Sequence, residues 1–233
     1  GDYLGHETDN FDSDNFQVKS IEERKLGIRE QKKNYSKTIL EKSVNNGNIF
    51  SVATVSTYSL VYTAQTYFGG VLAPNGDIHF IPFSATVGQK VSSAGTVSTY
   101  SLQYTTSQAY FGGVLATDGD IHFVPYSASV GLKVSTSGIV STYSLAYTTS
   151  GAYRGGVLAP NGDIHFIFNS ATVGQKISAT GVVSTYSLAY TVASAFAGGI
   201  LNTDGDIILV PSAARVGQRI FTGSALPFDI GVC

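Results

Sequence analysis

The chain has 233 residues, enough for one sizeable core or a small domain with an arm, and a net charge of −2. That charge makes no electrostatic case for nucleic acid or an anionic membrane. No stretch approaches ~18 apolar residues, so no membrane span is expected, and the only cysteine, Cys233, has no partner for an internal disulfide.

In chain order, an arm comes first. Residues 1–47 carry nine acidic and eight basic side chains, 17 of the 30 in the whole chain. The absence of methionine, even at position 1, is expected of a chain processed or trimmed ahead of this arm. GDYLGHETDNFDSDNF holds too few large apolar groups to fold alone. SIEERKLGIREQKKNYSKTILEK then predicts a helix over about 20–42. Ser20 and Glu23 form a capping box, and Ile21, Ile28 and Tyr35 recur every seven residues as a thin apolar stripe. Gly27 interrupts that helix. Such a stripe either docks on a partner, anchoring the arm through Ile21, Ile28 and Tyr35, or belongs to a solvated connector.

From residue 48 to 233 a repeat dominates. Gly-Gly pairs begin at Gly69, Gly112, Gly155 and Gly198, each 43 residues apart, and VSTYSL begins at Val55, Val97, Val140 and Val183. Each unit contains four strand-like runs; in the first they are YFGGVLA, DIHFIPF, VGQKVS and TVSTYSL. In Ala73-Pro74-Asn75-Gly76, proline presets the first central turn position and glycine accepts positive φ after it. Paired glycines inside a strand suit a place where another backbone comes close, as in the innermost strand of a blade. Four short antiparallel strands per unit predict an all-β fold, a four-bladed β-propeller with an N-terminal extended or helical arm; a β-solenoid is the rival. The ends fit ring closure. IFSVATVSTYSL supplies outer-type strands before the first unit, and the last unit lacks its own VSTYSL. A single chain closing on itself, two chains building eight blades, and a larger assembly all remain open.

GGVLAPNGDIHFIPFSATVGQK and VSTYSL, over about residues 49–220, resemble repeats in proteins of marine viruses and phages and of some protists and algae. The resemblance implies a propeller-like fold and a virion or surface setting, and it carries no catalytic residues. The last unit departs from the pattern at Ile208 and Ser212.

Candidate sites follow from the repeated positions. His79, His122 and His165 are equivalent and could surround an axis as metal ligands. Against this, Ile208 stands at the fourth position, so a histidine packed between blades and bonded to backbone is preferred. Asp118 with Asp120, and Asp204 with Asp206, flank turn glycines as in a calcium loop but lack further acidic ligands; a turn-closing hydrogen bond explains them more simply. Tyr58, Tyr100, Tyr143 and Tyr186 offer flat faces with polar tips, suited to ligands or to filling seams between blades. Arg154 breaks rank, standing where other units have Phe68, Phe111 and Ala197. No nucleophile–base–orienter set appears, so no enzyme, no cofactor and no committed metal site is expected. The expected function is structural and interactive: a virion component (phage tail or capsid) or surface appendage, attached to other proteins through residues 1–47. A carbohydrate-binding, lectin-like propeller is the alternative. Partners are proteins of that assembly, glycans, or further copies of the chain, on a virion or an extracellular surface.

Overall fold

The structure is a computed structural model and describes residues 55–63 and 67–223. The expected helix over 20–42 and the anchoring residues Ile21, Ile28 and Tyr35 lie outside the described residues. So does the start of IFSVATVSTYSL; within the rest of it, residues 55–60 form no strand. The sheets described below all belong to the second of two compact units, Tyr58–Cys233.

Among the described residues there are only strands, turns and loops, organised as four antiparallel sheets. The first sheet is β1 (Tyr67–Leu72), β2 (Ile78–Pro82), β3 (Val87–Val91) and β4 (Val97–Ser101). The second is β5 (Tyr110–Leu115), β6 (Ile121–Pro125), β7 (Val130–Val134) and β8 (Val140–Ser144). The third is β9 (Tyr153–Leu158), β10 (Ile164–Phe168), β11 (Val173–Ile177) and β12 (Val183–Ser187). The fourth has three strands, β13 (Phe196–Leu201), β14 (Ile207–Pro211) and β15 (Arg219–Ile220). Neighbours in sequence are neighbours in every sheet, the meander of a propeller blade.

Local chemistry accounts for the hairpins. The Gly76 amide donates to Ala73 O at 2.9 Å, and Gly76 takes φ +85°. The Asp77 amide donates to Asn75 Oδ1 at 3.0 Å, an Asx turn that Asp118 and Asn161 repeat in the next two blades. The innermost strand carries a bulge at the Gly-Gly pair, where the register slips between Tyr67 and Gly70 and again between Tyr110 and Gly113.

Blades pack through their inner strands, β1 on β5, β5 on β9 and β9 on β13. The two glycines of the second pair do different work at this seam. The first permits backbone proximity: a methyl on Gly112, at φ +110°, would lie 3.3 Å from Gly155 Cα. The second accepts side chains of the preceding blade. A methyl on Gly113 would lie 2.6 Å from Ile81 Cδ1, and one on Gly156 2.5 Å from Val114 Cγ2. Backbone bonds stitch the same seam, with the Ala109 amide donating to Phe83 O at 2.6 Å and the Ala152 amide to Tyr126 O at 2.9 Å. Two cores result, centred on Phe123 with Leu132 and on Phe166 with Ile167 and Phe196.

The all-β, propeller-type architecture is therefore as the repeat predicts. Four blades are fewer than the ring needs: among the described residues the packing series runs from the first blade to the fourth, with no extensive contact between β13 and β1.

Candidate functional site

The three histidines and Tyr100, Tyr143 and Tyr186 sit on strands, so the pleat decides which meet. Tyr100 on β4 pairs with Gly88 on β3, and His79 on β2 pairs with Lys90 on β3. The Tyr100 ring lies over the bare Gly88 backbone, in space that a methyl on Gly88 would overlap. It thereby crosses β3 and brings its hydroxyl 3.1 Å from His79 Nδ1. Tyr143 covers Gly131 and reaches His122 at 3.3 Å, and Tyr186 covers Gly174 and reaches His165 at 3.2 Å. Each histidine is thus held by a phenol of its own sheet rather than by backbone, and Tyr100, Tyr143 and Tyr186 are engaged within their blades. Tyr58, the first of the series, is exposed.

Burial holds these groups neutral. It pushes His122 and His165 down to about 4, with the adjacent Lys133 and Lys176 acting in the same direction. His79 is lowered for the same two reasons, burial first and then Lys90. Burial raises the Tyr100, Tyr143 and Tyr186 phenols.

The aspartates that recur in all four units pair with cations thirteen residues on. Asp77 accepts from Lys90 Nζ at 2.6 Å, Asp120 from Lys133 Nζ at 2.7 Å and Asp163 from Lys176 Nζ at 2.6 Å; Asp206 pairs with Arg219. The hydrogen bond from Lys90 holds Asp77 below the usual carboxylate range, and that from Arg219 does so for Asp206. Burial opposes the shift at Asp163, but the bonds from Lys176 and the Ala179 amide outweigh it. Asp118 and Asp204 stay at the turn, the first accepting from the Asp120 amide and the second 3.8 Å from Arg219. Among the described residues no three His, Cys, Asp or Glu side chains stand together as a metal site. The sequence reading missed the Asp–Lys pairs, although the constant thirteen-residue spacing was a usable signal.

Two features of the described residues have room for a ligand. A cavity of about 330 Å³ opens between the first and second blades, lined by Pro74, His79, Lys90, Ile121 and Thr136. It lies at the end where β1 turns into β2. At the opposite end an aromatic ladder runs across the inner strands. Phe68 stacks on Phe111 with ring centres 4.7 Å apart, Phe83 meets Phe111 edge-on at 5.6 Å, and Tyr126 lies 5.8 Å from both Phe83 and Phe111. Arg154 caps the ladder, its guanidinium carbon 5.5 Å from the Phe111 ring centre and 5.9 Å from that of Tyr126. Its Nε is buried and has no hydrogen-bond partner. Of the residues singled out in the sequence, His79 lines the cavity and Arg154 caps the ladder with a buried, unpartnered Nε.

No protein-family model and no curated protein matches the chain. Solved structures do. Virginiamycin B lyase from Staphylococcus aureus aligns with a TM-score of 0.61 at 20% identity, over 72% of this chain and 56% of that one. A streptogramin B lyase aligns with a TM-score of 0.58 at 24% identity, over 67% of this chain and 51% of that one. These neighbours are β-propellers, and the fold is what the likeness shows. The chain spans about half of their length. The expectation that the chain is not an enzyme does not stand, because solved structures sharing this fold include lyases. A missing nucleophile–base motif in the sequence does not exclude catalysis on such a scaffold.

A pH dependence follows from the buried imidazoles. Between pH 6.5 and about 4 the unfolded chain protonates His122 and His165 while the folded chain does not, so stability falls as pH falls through that window. The lowered Asp77, Asp163 and Asp206 add a further loss at lower pH still. Replacing His122 with isoleucine, the residue at the equivalent position 208, is expected to flatten the urea-midpoint curve between pH 6.5 and 4. An unchanged slope would contradict the assignment.

Proposed function

We propose that this chain is a structural and interaction protein, a propeller-type recognition head of a virion or surface appendage that joins its assembly through residues 1–47. The observation that carries the recognition role is Arg154 over the ladder of Phe68, Phe83, Phe111 and Tyr126. Aromatic faces favour the apolar side of a sugar ring. A guanidinium without a carboxylate partner among the described residues favours an acidic substituent beside it. The ligand class that fits is an acidic glycan on a target surface. Support comes from where the repeat is broken: the blades fold with phenylalanine, arginine or alanine at this position, so arginine is not required by the fold.

The expected result on a glycan array is binding to acidic glycans over their neutral counterparts. Arg154→Ala should weaken it by roughly 10–100-fold, the worth of a charged hydrogen bond. Lys90→Ala, on the other end of the blades, should leave it unchanged. No binding at high protein density would overturn the reading.

Catalysis is the second reading, favoured by the fold likeness to lyases named for streptogramin B and virginiamycin B. Incubation with quinupristin, which is bound to one such lyase, tests it directly. Loss of the intact compound by mass spectrometry would establish it, and an unchanged compound after long incubation would remove it.

A further inference from the structure

The same repeat position is core in the middle of the blade series and surface at its ends. Ile121, Ile164 and Ile207 begin the second strands of the later blades and are 1%, 2% and 0% exposed, whereas Ile78 of the first blade is 41% exposed. Gly70 receives no side chain from a preceding blade; its neighbours are atoms of its own blade, His79, Ile78 and Phe80. At the far end the situation is reversed. Ile81 and Val124 plug the glycine of the blade that follows them, as Ile167 plugs Gly199, and all three are buried. Their counterpart Val210 is 37% exposed, and Ile200, the counterpart of Val71 and Val114, is 65% exposed. The first blade therefore presents an empty socket, and the fourth presents the plugs that fit it.

A second mismatch lies at the outer edge. In three blades a VSTYSL tyrosine covers the glycine of the third strand. Among the described residues nothing lies within 4 Å of where a methyl on Gly217 would stand, and the fourth sheet has no fourth strand. The unused VSTYSL is residues 55–60, and its Tyr58 is 60% exposed. That segment precedes the first blade, so it occupies the place in the chain that the outer strand of a preceding blade would have. The register of the complete blades, Val87 with Ser101 and Gly88 with Tyr100, would set Val216 opposite Ser59 and Gly217 opposite Tyr58.

We propose that two copies of this chain close one eight-bladed ring, the fourth blade of each seating on the first blade of the other. Each copy lends residues 55–59 as the outer strand of its partner's fourth blade. The new contacts continue a seam the chain already forms three times, and a two-fold repetition of a front-to-back contact uses up both free faces and both open edges. One copy covers 51–56% of the length of its propeller neighbours, close to the half ring that this closure needs. The inference stands independently of what the ladder binds.

Light scattering on the full chain should give twice the chain mass of 24.5 kDa. Ile200→Asp with Val210→Asp changes only exposed side chains, so it should yield a folded monomer with an unchanged far-ultraviolet spectrum. In a Cys233→Ser background, Ser59→Cys with Val216→Cys should form a disulfide between chains under mild oxidation. A monomeric parent chain, an open-ended polymer, or a disulfide formed within single chains would each overturn the proposal.

Discussion

The rest of the structure depends on one contact: branched side chains of each blade entering the space left by the second glycine of the next. Ile81 and Val71 at Gly113, Val114 and Val124 at Gly156, and Ile167 at Gly199 are one interaction made three times. Close-packed interiors penalise both an empty socket and an overfilled one, so this contact sets the spacing and angle between sheets. It explains why identical sequence positions differ in burial. It also explains why an innermost strand tolerates glycines that would weaken an ordinary strand.

Within a blade, a second device holds the sheet. A tyrosine laid over glycine spans the third strand and meets a histidine on the second, and an aspartate at the first turn accepts from a lysine on the third strand. The two differ in energetic weight. The Asp–Lys pairs have half-exposed lysines and contribute little net stability, serving to orient the hairpin. The histidines are buried and neutral, so their bonds depend on pH. The fourth blade replaces this unit with Ile208 and lacks the tyrosine strand, which makes it the least complete of the four.

Much of this was legible in the sequence because it is local. The runs YFGGVLA, DIHFIPF, VGQKVS and TVSTYSL enclose β1 to β4, and the Ala73–Gly76 turn closes as proline, asparagine and glycine require. Ring closure was not legible. It depends on the wedge angle between blades, which arises from how far Ile81 or Val124 sinks into the neighbouring sheet, and no local pattern encodes that depth. The histidine's partner was missed because it is a diagonal contact across three strands, visible only once the glycine beneath the tyrosine is seen as a channel. Arg154 stood out as an irregularity, but the rings it contacts, Phe111 and Tyr126, come from the preceding blade. The expectation of no catalysis rested on a missing local motif, and the existence of lyases with a similar fold removes the force of that absence.

The seam makes one sharp demand on two adjacent residues. Gly156 faces Val114 and Val124 of the preceding blade, whereas a methyl on Gly155 would meet nothing within 4 Å, and neither glycine has a positive φ. Equilibrium urea unfolding of Gly155→Ala and Gly156→Ala compares them directly. The account predicts that Gly156→Ala destabilises by about 1–3 kcal/mol, as overpacking does. Gly155→Ala should be neutral or stabilise by up to about 1 kcal/mol through the unfolded chain. Equal effects at the two positions, or a larger loss at Gly155, would contradict it.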